Sequence, residues 1–520
     1  RESGFPGFQI SGYEGMGGYV PSSPRFRTDR QYQYALNVSY THGAHNLRWG
    51  AEMYRQEMNH YQPAGTYGPR GGFQFSGGVT ALNGTATNQF NALASFLLGL
   101  PSALGKSIPT TDEMRTRQWN YGFYFRDRWE VSRSLTLNLG LRYEYYPMVT
   151  RDVGGVGRYD WTTNQVLLGG YGDTPVDTGE HVNAHQFAPR LGIAWRVTNR
   201  TVIRAGYGIS IDPFPLAIPL RSSYPTVVEQ NKAAPNTYSA AGQLADGIPA
   251  APEIDLSSGI VTLPSTVTTN TIAGDFNRGY VQSFNFTLQR ELGGGFAAEA
   301  GYVGSRSIRL TNLVDINASY PGGAAAGRAY FAAYGRTVAT TLYDPAFTSN
   351  YNALQAQLTR RFAKGLSMTA AYTWSKAIGF GANNDSGIFF NTPSAIARNR
   401  SLLAFDRAHN FRLSGIYELP FGKTKPYLSH GLVALIAGGW QANGILSLYT
   451  GTPFTVTASA TSLNAPGNSQ VADLVKSQVA MPKGVGLGSS WFDPTAFASI
   501  TTARCGNAGL NILRGPGVAN

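Results

Sequence analysis

Polar and apolar residues alternate strictly along several stretches of this chain. Between Gln31 and Thr41, Tyr32, Tyr34, Leu36, Val38 and Tyr40 share one face, and Gln31, Gln33, Asn37, Ser39 and Thr41 share the other. From Ser134 onward, Leu135, Leu137, Leu139, Leu141, Tyr143 and Tyr145 alternate with Thr136, Asn138, Gly140, Arg142 and Glu144. Read to the end, this period of two predicts about twelve long strands in six hairpins. They are 31–41 with 46–59, 116–131 with 134–147, 186–197 with 200–212, 279–291 with 296–310, 349–362 with 366–378, and 407–419 with 437–450. Several exceed ten residues, which is long for a soluble sheet and right for a tilted strand that crosses a membrane.

The connections sharpen this reading. Most hairpin turns are tiny, as at Gly43-Ala44-His45, Ser132-Arg133, Thr198-Asn199, Gly293-Gly294-Gly295 and Lys364-Gly365. Between hairpins the links are long, about 25 to 65 residues, and rich in Gly, Pro, Asn, Thr and Ala. Short turns alternating with long loops are the pattern of an outer-membrane barrel, with the turns periplasmic and the loops extracellular. The sixth hairpin is the exception, and a small periplasmic helix is expected in its link from Pro420 to Gly438. The Ala/Gly stretch from Pro321 to Ala333 reads as a flexible or weakly helical loop.

The expected fold is therefore all-β, a transmembrane antiparallel up-and-down β-barrel. The whole chain, 1–520, forms one barrel domain, with further strands expected on both sides. In hydrocarbon every backbone donor and acceptor must be paired, so the sheet has to close. Composition agrees: 14% of residues are charged against about 25% in soluble proteins, while 29 are Tyr and 62 Gly. Mean hydropathy of −0.19 and the lack of any 18-residue apolar run exclude a membrane protein built of helices. A soluble sandwich would leave the consistently polar, Arg-rich face of the strands unexplained.

The net charge of +12 fits either attraction of anionic ligands and lipopolysaccharide phosphate or scattered loop charge, since no basic run stands out. Nucleic acid is not an expected partner. The single Cys505 permits no internal disulfide. The chain opens Arg1-Glu2-Ser3 without a leader, which reads as an internal piece of a longer protein.

If the apolar face meets lipid, then Arg126, Arg128, Arg142, Glu144, Arg190, Arg196, Arg204, Gln355, Gln357 and Arg361 point into the lumen. They would contact a plug or line a path for polar substrate, with plug contact favoured. Asp127 falls on the apolar face, but close to a turn, where an outward charge costs little. Trp119, Trp129, Tyr145, Trp195, Trp374 and Trp440 sit near strand ends, as interfacial anchors would, with Tyr121, Tyr146 and Tyr372 nearby.

Little supports catalysis or a metal. The seven histidines, His42, His45, His60, His181, His185, His409 and His430, lack Cys or carboxylate partners at ligand spacing. No nucleophile elbow or phosphate loop appears, so neither enzyme activity nor a cofactor is expected. Asn383, Asn384 and Asp385 could bind calcium, although a plain turn suits them better.

Several segments, in order, resemble the Oar-like barrel of TonB-dependent receptors. They are Ala94-Ser95-Phe96-Leu97-Leu98-Gly99, Asn120-Tyr121-Gly122-Phe123-Tyr124-Phe125-Arg126-Asp127-Arg128-Trp129, Phe187-Ala188-Pro189-Arg190-Leu191-Gly192 and Arg204-Ala205-Gly206-Tyr207-Gly208. Leu135-Thr136-Leu137-Asn138-Leu139-Gly140-Leu141-Arg142-Tyr143-Glu144 follows the second of these, and Ser349-Asn350-Tyr351-Asn352-Ala353-Leu354-Gln355, Tyr372-Thr373-Trp374-Ser375-Lys376 and Phe405-Asp406-Arg407-Ala408-His409-Asn410 complete the set. The resemblance implies a barrel of 22 or more strands in the outer membrane of a Gram-negative bacterium, in contact with lipid and lipopolysaccharide. It also implies a plug and TonB box outside this chain, a small carboxypeptidase-regulatory-like domain before the plug, and coupled uptake of an extracellular substrate. The sequence does not name that substrate. A passive porin-like channel, or a surface adhesin or structural barrel, are the alternatives.

Overall fold

The computed structural model describes the chain except residues 1–3, 18–24, 62–65, 86–87, 111–113, 153–155, 217–223, 251–252, 382–386, 482–489 and 520. The residues considered above for calcium, Asn383, Asn384 and Asp385, lie outside the described residues.

Twelve long strands form six hairpins at the expected places. They are β1 (Phe26–His42), β2 (His45–Tyr61), β3 (Met114–Ser132), β4 (Leu135–Tyr145), β5 (Phe187–Thr198) and β6 (Thr201–Ile211). Then follow β7 (Tyr280–Gly293), β8 (Phe296–Asp315), β9 (Thr340–Ala363), β10 (Leu366–Gly379), β11 (His409–Glu418) and β12 (Gln441–Tyr449). Each pairs antiparallel with its neighbour in sequence, and Val518–Ala519 adds against the end of β12. The sheet does not close among the described residues: β1 and Val518–Ala519 are its two ends.

Turn chemistry sets the register. Gly293, Gly294 and Gly295 take φ of 89°, 59° and 80°, three successive left-handed residues that only glycine adopts without steric cost. Lys364 and Gly365, at 52° and 80°, make the primed type of turn that suits the twist of a hairpin. Among the described residues no layer covers one face of the sheet, so Leu36, Leu141, Ile193 and Phe286 are 65%, 47%, 46% and 51% exposed. In a soluble sheet those side chains would be the core.

The hydrophobic cores lie in the loops instead. Met148, Val149, Val156, Phe214, Leu216, Ile272 and Phe276, from links far apart in sequence, pack together with Tyr343 at the loop-side end of β9. A second core joins strands 7–10, 72–75, 103–109 and 227–233, which form one small sheet. Helix α1 (Gln89–Leu97) covers it, capped by the Asn88 side chain, which accepts from the Phe90 and Asn91 amides. The segment Ala94 to Gly99 thereby gains a reason: Ser95 is buried against Thr80, and Phe96 meets Phe75 edge-on at 5.2 Å.

The stretch from Pro321 to Ala333 is packed rather than flexible. It leads into α2 (Phe331–Tyr334), and Arg328 is buried, pairing with Asp315 at 3.1 Å and donating to the Asn317 carbonyl at 2.7 Å. The expected helix in the sixth hairpin is present as α3 (Gly431–Ala437).

Buried charge staples the loops. Arg336 is fully buried, donates to the Pro264 and Val267 carbonyls and the Thr340 hydroxyl, and lies over the Tyr159 ring at 5.2 Å. Glu180 is also fully buried, 3.0 Å from Arg158, and neither of its oxygens receives an aligned hydrogen bond. Burial pushes its carboxyl up to about 8; Arg158 opposes the shift, and Asp275 and Asp177 add to it. Because the folded value exceeds the unfolded one, this site is most stable below the ordinary carboxylate range. It loses stability as pH rises through about 8, by on the order of 4 kcal/mol. Protection of residues 156–182, taken relative to the exchange of an unstructured chain at the same pH, is therefore expected to fall between pH 5 and 9, and Glu180→Gln is expected to flatten that fall. An unchanged pH dependence in the variant would remove Glu180 as its source.

Candidate functional site: the polar face of the sheet

Register gathers the polar residues into rows. Arg48, Arg126, Gly140, Arg190 and Gly208 are successive partners across β2 to β6. The row on their loop side runs Asn37, Gly50, Tyr124 and Arg142 across β1 to β4. Between them is a concavity of about 450 Å³ lined by Asn37, Arg48, Tyr124, Arg126, Arg142 and Arg190 among others.

Small residues make room for these groups. Gly50 leaves the space into which the Tyr124 ring leans, 2.8 Å from where a Cβ would stand, and the Tyr124 hydroxyl donates to Asn37 Oδ1 at 2.5 Å. Gly122 does the same for Arg142, whose guanidinium donates to Glu144 at 2.8 Å and to Glu52 at 3.1 Å. Gly140 separates the stems of Arg126 and Arg190, each 3.7 Å from its absent Cβ.

Charge is unevenly answered along this wall. Arg142 has two carboxylates, so it is neutralised in place. Arg48, Arg126 and Arg190 are exposed, and none has a hydrogen-bond or ion-pair partner among the described residues. Three like charges in one row, on β2, β3 and β5, repel one another, so an anionic surface or ligand brought against them would gain free energy.

The other candidates are spread more widely on the same face. Arg128 pairs with Glu130 at 3.3 Å, Arg196 donates to the Arg133 carbonyl, and Arg204 donates to Gln289 at 2.7 Å. Gln355 and Gln357 are exposed on β9, opposite Gly301 and Glu299. Arg361 sits where the register shifts beside the Lys364 turn, its amide donating to the Gly295 carbonyl. Arg48, Glu52, Tyr124 and Asn37 are not among the site candidates that the sequence suggests. Pairing with Ser39 and Arg126 puts Arg48 on this face, and pairing with Ala35 and Gly122 puts Glu52 there.

The aromatic candidates fall on the opposite, apolar face. Trp119 and Trp129 stand ten residues apart on β3, Trp119 beneath the Arg55 guanidinium and Trp129 stacked on His45. Tyr145 stacks on Tyr121, while Trp195, Trp374 and Trp440 are exposed. Tyr146 differs: it is buried, and its hydroxyl donates to Glu144. Asp127 stays on the apolar face, opposite Leu47 and Leu139, and is held by His45 Nδ1 at 2.7 Å beside the first turn. No group of three His, Cys, Asp or Glu among the described residues could hold a metal ion.

The segment Phe405 to Asn410 is a joint. Asp406, 1% exposed, accepts the Ala377 amide at 2.6 Å and the Arg514 guanidinium, which binds β10 to the returning end of the last loop. Arg407 lies over the Tyr449 ring at 4.3 Å and donates to the Thr450 carbonyl.

A family model described as an outer membrane beta barrel domain matches residues 1–520. The chain belongs to that family. As a barrel of the Gram-negative outer membrane it crosses the bilayer with strands, and no described helix is long and apolar enough to do so. A search of curated proteins finds no match. Among solved structures the barrel is similar to the outer membrane transporter YddB from Escherichia coli, at 12% identity and TM-score 0.46, over 85% of this chain and 44% of that one. It is similar to the siderophore receptor PiuA from Acinetobacter baumannii, at 11% and 0.37, over 82% and 50%. The ferripyoverdine receptor of Pseudomonas aeruginosa gives 11% and 0.37, over 83% and 39%. The chain spans half or less of the length of each.

Proposed function

We propose that this barrel is the wall of a gated outer-membrane receptor that takes up a large or scarce extracellular substrate through coupling to TonB. The observation that carries this reading is the unanswered row Arg48, Arg126 and Arg190 on a face whose remaining arginines mostly have partners. In a closed barrel that face is the lumen, and the row supplies guanidiniums for the carboxylates of a plug domain. The wall residues Arg128, Arg142, Glu144, Arg196, Arg204, Gln355, Gln357 and Arg361 extend the same contact surface. The packed loops would hold the substrate at the extracellular mouth. Trp119 and Trp129 would mark the two interfaces: ten residues at about 3.4 Å and a tilt near 40° give a height of about 26 Å, close to the apolar band of such barrels.

The test is single-channel conductance of the full-length protein in a planar bilayer. A closed pore is expected, because a plug fills the lumen. Arg126→Glu with Arg190→Glu is expected to raise the open fraction by on the order of 100-fold, since each charged contact contributes about 1.5–3 kcal/mol. A steady open pore in the unaltered protein would favour passive diffusion.

A further inference from the structure

The hairpin of β11 and β12 is closed by a bond from the Leu419 amide to the Trp440 carbonyl, and α3 lies beyond it at the turn end of the sheet. On this seven-residue helix Leu432, Val433, Leu435 and Ile436 are 77%, 53%, 79% and 74% exposed. At about 100° per residue these four occupy one arc of roughly 160°, with Ala434 and Ala437 opposite. The alanine side faces the rest of the link. A Cβ on Gly422 would stand 2.4 Å from Gly438 Cα and 3.5 Å from the Ala434 carbonyl oxygen, so the helix rests on this glycine.

Its side of the wall is fixed by two bonds. Glu418 and Gln441 pair on the polar face, so Trp440, next in register, belongs to the apolar face with Tyr417 and Ala442. The Trp440 indole Nε1 donates to the Ile436 carbonyl at 2.8 Å, which ties the end of α3 to that apolar face. Lys425 reaches the other way, donating to Glu418 at 2.6 Å. The link therefore straddles the rim, with its lysine arm toward the lumen and its aliphatic helix toward lipid.

We infer that α3 is an interfacial helix whose Leu432, Val433, Leu435 and Ile436 side chains insert among the acyl chains of the periplasmic leaflet. The apolar arc is joined to the lipid-facing surface of β11 and β12 through the Trp440–Ile436 bond. It carries no charge or hydrogen-bonding side chain that a protein partner would need for registry. Tyr427 and Trp440, both 62% exposed, are amphipathic rings suited to headgroup depth, and the exposed Lys423 can meet a lipid phosphate. Such a foot fixes the depth of the barrel at a rim where the other turns are too short to reach lipid.

The test places a single environment-sensitive label at Leu435→Cys, with Cys505 replaced by serine. The full chain is reconstituted in vesicles of phosphatidylethanolamine and phosphatidylglycerol. The expected result is blue-shifted emission, quenched at least two-fold by doxyl-labelled lipid and unaffected by iodide, with Ser429→Cys giving the reverse. Iodide quenching at position 435 would overturn the inference. Shielding from both quenchers would also overturn it, because a protein surface would then cover the helix. Heat-modified gel mobility confirms folding of each variant, and Leu432→Cys replaces any that fails.

Discussion

Asp406→Ala is expected to release the last long loop from the barrel. Asp406 accepts the Ala377 amide and pairs with Arg514, while Arg514 also donates to the Asp406 and Gly451 carbonyls and its own carbonyl accepts from the Trp491 indole. Removing the carboxylate strands a largely buried guanidinium and an amide donor together. Breaking a buried pair in this way costs about 3–5 kcal/mol; Arg514 is 28% exposed, so the lower end applies. About 3 kcal/mol corresponds to on the order of 100-fold more frequent opening. Trypsin added to intact outer membranes should then cleave at Lys476 and Arg504 faster by that factor, with the strands protected. Asp406→Asn keeps an acceptor for Ala377 and is expected to lie between. Equal cleavage in all three proteins would show that Asp406 does not hold the loop.

That joint shows where sequence reasoning stops. The strands were legible because a period of two repeated over ten or more residues has few competing explanations, and tiny turns fixed their pairing. Polar and apolar faces followed from the same parity, which put Asp127 on the apolar face beside a turn and Arg126 on the polar face. The loops were not legible. Their cores combine residues such as Val156 and Phe214 from two links with Tyr343 from the loop-side end of β9, and no local period announces such contacts. The Gly and Ala content of Pro321–Ala333 suggests a flexible or weakly helical loop; a short helix begins at Phe331, and Arg328 and Arg336 tie the surroundings down through bonds to distant carbonyls. The segment Phe405–Asn410 stands out in the sequence as a motif, but its work depends on Arg514, more than a hundred residues later. Among the polar-face residues, composition identified the arginines. Only register distinguished Arg142, neutralised by Glu52 and Glu144, from Arg48, Arg126 and Arg190, which are left facing open space.

The assignment of faces makes the second large prediction, on adjacent residues of one strand. Leu358 and Gln357 lie on β9, five and six residues before the strand ends at Ala363, so both sit near half the height of the apolar band. Leu358 is flanked by Ala298 and Ala370 on the apolar face, and Gln357 by Glu299 and Ala371 on the polar one. Leu358→Arg puts a guanidinium into hydrocarbon near the midplane, which costs about 2–4 kcal/mol in barrels of this kind. Small alanines on both sides offer no acceptor to offset it. Gln357→Arg places the same charge at almost the same depth, but toward water and directly opposite the Glu299 carboxylate, where a cross-strand pair contributes roughly 0.2–1 kcal/mol. Folding titrations into lipid vesicles should therefore show Leu358→Arg strongly destabilised and Gln357→Arg unchanged or slightly stabilised. If the two variants lost stability equally, the polar face would not be a wetted lumen, and the row of free arginines would lose its proposed role with it.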